Sequence, residues 1–242
     1  MIKKISTGSF DLNKWLYGGY ETDIITMVAG PPGSGKTNFS LLVACSQAKK
    51  GNKVFFIDTE GGFSIDRVKQ IVGGEYEEVL KNILILEPTS FLEQKSAFDK
   101  LLKTLKESQI GLIVVDGMAM LYRLELGDAV HSKEDEKIKQ VNREVAKQMR
   151  CLAEIARKKK IPVLITNQVY GRFTKDEEWK PEFEREFNIV GGDLFKYWSK
   201  CIIELKKEGS RRKAVLLKHR SLGEKEMKFV IENEGIFKAG WI

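Results

Sequence analysis

The stretch that decides the fold is Gly30-Pro31-Pro32-Gly33-Ser34-Gly35-Lys36-Thr37. It matches G-x-x-x-x-G-K-[S/T], the pattern of a phosphate-binding loop. The apolar run Ile24–Ala29 before it predicts a buried strand, and Thr37–Lys50 after it predicts a helix that stops at Gly51. This order suits phosphate binding, because the loop's backbone N–H groups and the N-terminus of the helix then face the anion. The alternative is a tight glycine-rich turn with no ligand.

The loop chemistry predicts ATP and Mg²⁺ as ligands. We expect Lys36 to reach the β- and γ-phosphates and the Thr37 hydroxyl to bind Mg²⁺. The predicted nucleotide-binding residues are Gly30, Pro31, Pro32, Gly33, Ser34, Gly35, Lys36, Thr37 and Asn38.

Further apolar runs predict the rest of the fold. Strands are expected at Lys53–Ile57, Ile83–Leu86, Leu112–Val115 and Pro162–Thr166, with helices at Leu92–Glu107 and Lys133–Lys160. Such short Val- and Ile-rich runs are typical of a parallel sheet with both faces buried. Later runs at Lys200–Lys207, Lys213–His219 and Glu226–Ile231 are separated by polar turns. We predict one α/β domain over residues 1–242, with a mainly parallel sheet flanked by helices and an antiparallel C-terminal strand extension.

Three polar side chains follow predicted strands. Asp116 ends Leu112–Val115 and is expected to hold Mg²⁺ through water beside Thr37, although strands also end in Asp as a turn residue. Glu60 follows the second strand and could polarise the attacking water, or cap the helix expected at Asp66–Val72. Gln168 follows Pro162–Thr166 and could sense the γ-phosphate, or belong to a plain turn. Ligands of open parallel sheets bind at the carboxyl ends of the strands, which favours the functional alternatives.

Composition excludes several classes of protein. The chain has 242 residues, 42% of them hydrophobic, which is enough for a core and argues against intrinsic disorder. Its three cysteines lie far apart and it has two histidines, which excludes a zinc cluster and a disulfide scaffold and favours a cytoplasmic location. No run of 18 apolar residues predicts a membrane-spanning helix.

The motifs together resemble the RecA/RadA recombinase family. They are GPPGSGKT at 30–37, DTEGGF at 58–63, LIVVD at 112–116 and TNQV at 166–169, and the resemblance runs from about residue 6 to the end. It implies a RecA-like ATPase core in which Glu60 is the catalytic glutamate, Asp116 the Walker B acid and Gln168 the strand-end switch. Residues 169–190 would correspond to the second DNA-binding loop.

Departures from the family pattern limit what the resemblance implies. Only 29 residues precede the phosphate loop, so the N-terminal helical DNA-binding domain of RadA is expected to be absent. The segment 170–190 has six acids and four bases, a net charge of −2 where a DNA-holding loop should be positive. We therefore expect a monomer or small homo-oligomer rather than a filament, weak ATPase activity and no strand exchange. A RadA-like recombinase and a Holliday-junction nuclease are the partners that the resemblance implies.

The C-terminal part carries most of the positive charge. Residues 200–228 contain ten bases and four acids, a net charge of +6 in a chain whose net charge is +7. Concentrated positive charge on a hairpin indicates binding to the backbone of single-stranded or branched DNA, although lysines on an edge strand also prevent aggregation. The predicted DNA-binding residues are Lys206, Lys207, Arg211, Arg212, Lys213, Lys218 and Arg220.

Three functions remain open on the sequence. The first is a nucleotide-gated DNA-binding accessory factor for recombination and repair, which regulates the processing of branched DNA. The second is a DNA-stimulated recombinase or motor ATPase of the same fold. The third is a KaiC-like regulatory ATPase without a DNA role, against which the basic C-terminal segment argues.

Overall fold

The computed structural model describes residues 3–169, 188–208 and 211–240. Its strands are β1 (Lys4–Ile5), β2 (Tyr20–Glu21), β3 (Ile25–Gly30), β4 (Lys53–Asp58), β5 (Ile83–Leu86), β6 (Ile110–Asp116), β7 (Val163–Gln168), β8 (Ser199–Glu208), β9 (Arg211–Lys218), β10 (Lys225–Glu232) and β11 (Gly235–Lys238). Its α-helices are α1 (Phe10–Trp15), α2 (Lys36–Ala48), α3 (Ile65–Val72), α4 (Tyr76–Lys81), α5 (Phe91–Glu107), α6 (Met120–His131), α7 (Asp135–Lys159) and α8 (Asp193–Trp198).

The strands β3 to β11 form one sheet in the order β11-β10-β9-β8-β3-β7-β6-β4-β5. The six strands from β8 to β5 in this order run parallel, and β8, β9, β10 and β11 pair antiparallel in sequence. The predicted α/β fold with an antiparallel C-terminal extension is therefore confirmed. Parallel pairing of β8 with β3 is what joins the extension to the parallel part of the sheet.

Helices cover both faces of the sheet and create two apolar cores. One core holds Met27 and Phe55 against α5, α6 and α7, and the other holds Phe39 of α2 and Phe56 of β4. Alternating strand side chains supply the two cores, as expected for a sheet buried on both sides. Across the described ranges, we find no helix whose length and apolar content would suit a bilayer span.

Helix α6 was not predicted from the sequence. Its Leu121 and Tyr122 are buried, whereas Leu124 and Val130 are 53% and 55% exposed. Its apolar residues therefore fall on both faces, and no regular stripe marks the helix in the sequence. Packing on α7 and the hydrogen bond from the Tyr122 hydroxyl to Asn142 Oδ1 (2.7 Å) hold it in place.

The C-terminal strands support the phosphate loop. The ring of Phe229 in β10 meets Phe39 of α2 edge-on, with 5.6 Å between ring centroids. Arg67 of α3 donates to Asn38 Oδ1 (2.8 Å) and to the carbonyl oxygen of Glu232 (2.8 Å). These contacts fix the helix that follows the loop against the turn between β10 and β11.

Replacing Phe229 with alanine should destabilise the fold strongly. Phe229 is 1% exposed, so the change leaves a cavity, and we expect the free energy of unfolding to fall by about 3–5 kcal/mol. Val230, the next residue in β10, is 37% exposed, and Val230→Ala should cost less than about 1 kcal/mol. Urea denaturation measures both. Equal losses in the two variants would contradict this account of the core.

Candidate functional site

The carboxyl ends of five parallel strands lie side by side around the phosphate loop. Gly30 at the end of β3 is in register with Gln168 of β7, and Asp58 of β4 is in register with Asp116 of β6. On the other side of β3, β8 runs in the same direction. The polar side chains predicted from separate strand ends therefore meet at one edge of the sheet.

Close packing shapes the phosphate loop. Gly35 has φ +107°, and a Cβ atom on it would lie 2.8 Å from Ile231 Cδ1. A Cβ atom on Gly30 would lie 2.8 Å from the carbonyl oxygen of Leu205. Gly30 is required because a side chain would clash with the backbone of β8, and Gly35 is required because other residues rarely adopt its positive φ.

Lys36 points back into this loop. Its Nζ donates to the carbonyl oxygens of Gly30 (3.0 Å) and Pro31 (3.2 Å). Burial lowers the pKa of Lys36, while the carboxylates of Glu60 and Asp116 raise it. An anion in the loop would stabilise the charged ammonium of Lys36 further.

Asp116 lies at the centre of the strand ends and is buried. Its Oδ1 accepts hydrogen bonds from Thr166 Oγ1 (2.7 Å) and Ser40 Oγ (3.2 Å). Burial raises the pKa of Asp116, and the neighbouring hydroxyls of Thr166 and Thr37 lower it. Its Oδ2 is buried and has no hydrogen-bond partner among the described residues.

The open oxygen of Asp116 fits a cation. A Cβ atom on Gly62 would lie 3.1 Å from Thr37 Oγ1 and 3.7 Å from Asp116 Oδ2, so both oxygens border the same small volume. The structure describes no group of three or more His, Cys, Asp or Glu side chains suited to a metal ion. A hard cation here would therefore take its remaining ligands from phosphate and water oxygens, as Mg²⁺ does.

Glu60 lies at the edge of the same site with an exposed side chain. Its Oε1 accepts a hydrogen bond from Gln168 Nε2 at 3.3 Å. Asp58 holds the turn around Glu60, since its Oδ1 accepts from the Glu60 N–H (3.1 Å) and its Oδ2 from the Phe63 N–H (2.7 Å). Ser64 caps α3, so a capping role for Glu60 is excluded.

Gln168 connects the site to the start of the following loop. Asn167 Nδ2 donates to the carbonyl oxygen of Val190 (2.9 Å), and the Val190 N–H donates to the carbonyl oxygen of Gln168 (3.0 Å). An antiparallel bridge between Val169 and Ile189 continues the pairing. Most of the predicted second DNA-binding loop, at 170–187, lies outside the described residues.

Sequence reasoning missed two of the groups that hold Asp116. Thr166 is the last residue of a predicted strand, and the predicted site lies at the strand ends. Ser40 lies three residues after Thr37, which places both side chains on the same face of α2. Both positions could therefore have been recognised from the sequence. Asn38 was predicted to bind nucleotide, but its side-chain oxygen accepts from Arg67.

The predicted DNA-binding residues do not form one patch. Lys206, Lys207, Arg211, Arg212 and Lys213 lie at the carboxyl edge of the sheet, beside the phosphate loop. Lys218 and Arg220 lie at the amino edge, because β9 runs antiparallel to β8. Lys206 pairs with Glu204 (3.6 Å), Lys213 with Glu226 (3.1 Å) and Arg220 with Glu21 (2.6 Å).

A basic groove of about 980 Å³ lies at the amino edge, with Trp198 in its wall. Its seven Lys and Arg side chains are Arg150, Arg157, Lys158, Lys160, Lys200, Lys218 and Arg220, and its two acids are Asp23 and Glu154. Arg220 and Lys160 approach Asp23, and Lys158 pairs with Glu154. Within the part of the chain that the structure describes, the other four cations form no ion pair.

Comparison with known proteins agrees with the geometry. The Rad51 family model matches residues 1–239. A protein named DNA repair and recombination protein RadB, from Methanobrevibacter smithii, is 41% identical over 242 residues, covering 96% of this chain and 95% of the relative. RadB proteins from Methanococcus maripaludis strain C7 (44% identical) and Methanocaldococcus jannaschii (40%) cover 93% of this chain and 96% and 98% of their own lengths. The chain belongs to the Rad51 family and is similar to archaeal RadB over nearly its whole length.

Proposed function

We propose that this protein is an ATP-binding, DNA-binding accessory factor of recombination and repair, with weak Mg²⁺-dependent ATPase activity and no strand exchange of its own. The single observation that carries the proposal is the meeting of Lys36, Asp116, Glu60 and Gln168 around one phosphate loop. The relatives' name, which refers to DNA repair and recombination, supports the biological setting. A RadA-like recombinase and a Holliday-junction nuclease remain the partners to test.

The loop and its surroundings support the proposal of nucleotide binding. Backbone N–H groups of the loop would hold phosphate oxygens, and Lys36 would exchange its bonds to loop carbonyls for bonds to phosphate. Thr37 and Asp116 would hold Mg²⁺, which neutralises charge on the phosphates when it is bound. The unpartnered Oδ2 of Asp116 supports this assignment.

Glu60 and Gln168 are suited to hydrolysis and to reporting the nucleotide state. A carboxylate at this edge can orient and deprotonate the attacking water. Glu60 is exposed and accepts one long side-chain hydrogen bond, from Gln168 at 3.3 Å, among the described residues, so the base is loosely held and turnover should be slow. When Gln168 turns towards a phosphate, the paired backbone at Val169 and Val190 would move with it.

The amino-edge groove is the surface best suited to DNA. Its four cations without ion pairs are placed to approach backbone phosphates. Lys200 and Lys218 would exchange their hydrogen bonds to the carbonyl oxygens of Tyr197 (3.0 Å) and Lys196 (2.7 Å) for bonds to phosphate. Burial and the nearby Lys200 lower the pKa of Lys218, so a phosphate between the two would relieve repulsion. Trp198, and the 67% exposed Tyr197 that meets it edge-on, could stack on bases of a single strand.

Glu60→Gln should separate ATP binding from hydrolysis. The amide keeps the size of the side chain but cannot accept a proton, so we expect ATP affinity to stay within twofold and turnover to fall by about 100-fold or more. Phosphate release under single-turnover conditions measures the second effect. Unchanged turnover would show that Glu60 is not the base.

Asp116→Asn should stabilise the ligand-free protein and weaken its response to Mg²⁺. Because burial raises the pKa of Asp116 in the fold, the ionised carboxylate costs stability at pH values above that pKa. Removing the charge should add roughly 1 kcal/mol, about 2–4 °C in Tm, at neutral pH without ligand. The increase in Tm on adding ATP with Mg²⁺ should shrink. A lower Tm without ligand would contradict the electrostatic account.

DNA binding is tested by reversing charge in the groove. Four phosphate contacts predict a log–log salt slope of about −2.8 on single-stranded DNA, and the double variant Arg157→Glu/Lys200→Glu should remove about half of it. Fluorescence anisotropy with a labelled oligonucleotide at several salt concentrations gives the slope. ATP affinity, measured alongside, should not change.

The matched control for this experiment is Lys100→Glu/Lys103→Glu on α5, which makes the same change in net charge outside the groove. It should leave the slope near that of the original protein. If both double variants lose affinity equally, binding follows net charge alone and the groove is not the site. If the unaltered protein shows no DNA binding, the accessory DNA-binding function is wrong.

A further inference from the structure

We propose that Lys207 of β8, with Arg212 of β9 beside it, contacts the triphosphate held by the phosphate loop of the same chain. The proposal rests on ATP being the ligand of that loop. It assigns a nucleotide-binding role to two residues that charge alone had assigned to DNA.

Topology brings Lys207 to the loop. β8 is parallel to β3, with Ala29 in register with Glu204, so the end of β8 projects beside the loop that leaves β3. Lys207 is three residues beyond this register position. A Cβ atom on Gly33 would lie 3.7 Å from Lys207 Nζ, which places the ammonium against the middle of the phosphate loop. Gln168 at the end of β7 borders the same loop from the opposite side of β3.

Strand alternation separates Lys207 from its neighbour Lys206. Lys206 lies on the face of β8 that carries Glu204, and the two form an ion pair at 3.6 Å. Lys207 lies on the other face, with Leu205, which packs with α2. Within the described residues Lys207 has no ion pair, so its charge is available to an anion.

Arg212 provides the second observation. It is directly opposite Lys207 in the β8–β9 pairing and opposite Phe229 in the β9–β10 pairing, so its side chain lies on the same face as Lys207. Its Nε is buried and has no hydrogen-bond partner in the described part of the chain. A buried guanidinium N–H without an acceptor is costly, and two cations next to each other repel. An anion between them and the loop would satisfy both.

Phosphate is the anion whose position fits. The oxygens of a triphosphate in the loop carry several negative charges. The ammonium of Lys207 near Gly33 would therefore add to the stabilisation that Lys36 gives them. Since Lys207 and Arg212 lie on the β8–β9 hairpin, nucleotide binding would also hold this hairpin to the phosphate loop.

The test compares Lys207→Gln with Lys206→Gln by isothermal titration calorimetry of ATP in the presence of Mg²⁺. Lys207→Gln should weaken ATP about five- to tenfold, whereas Lys206→Gln should change the affinity less than twofold. Both side chains are on β8 and both changes remove one positive charge, so the comparison separates the position of the charge from its loss. Lys207→Arg keeps the charge and should restore most of the affinity.

The outcomes separate this inference from the proposed function. If the original protein binds ATP and Lys207→Gln binds it equally well, the contact is wrong while ATP binding stands, even if the variant loses affinity for single-stranded DNA instead. If the original protein binds no ATP, both fail. Lys207 is exposed, so Tm without ligand should stay within about 1 °C in both Lys207 variants, which excludes misfolding as the cause of weaker binding.

Discussion

The close approach of backbone at the phosphate loop is the constraint on which the rest of the structure depends. Gly30 lies against the backbone of β8, and Gly35 lies against Ile231 of β10, at distances that exclude a Cβ atom. The loop therefore needs glycine at these positions because the C-terminal strands lie directly against it. Phe39 and Phe229 pack behind it, and Arg67 joins α2 to the turn after β10. The C-terminal extension is therefore part of the packing around the phosphate loop.

The two edges of the sheet separate two chemistries. At the carboxyl edge, buried carboxylate and hydroxyl groups surround a loop that favours anions, and one carboxylate oxygen is left open beside Thr37. At the amino edge, cations from α7, β8 and β9 line a groove with an aromatic wall. Because the two ends of each parallel strand lie at opposite edges of the sheet, the phosphate loop and the basic groove are built from different residues.

Part of the site was predictable and part was not. The order of motifs was enough to predict Lys36, Asp116, Glu60 and Gln168 at one edge, since parallel strands end together. The same reasoning could not show that Ser64 caps α3, nor that the side chain of Asn38 is held by Arg67, because both depend on rotamers and on contacts distant in sequence. Helix α6 escaped prediction because its apolar residues lie on two faces.

The sequence by itself determined the fold class, the phosphate loop and the membership of the Rad51 family, because these depend on local patterns of apolar residues, glycines and strand-end acids. Tertiary structure alone decided where each positive charge lies. The seven basic residues predicted to bind DNA are close in sequence, but they lie at opposite ends of the strands. Because β9 runs back along β8, Arg211 lies near the carboxyl end of β8 and Lys218 lies near its amino end. Adjacent lysines 206 and 207 then face opposite sides of the sheet, because successive strand side chains alternate.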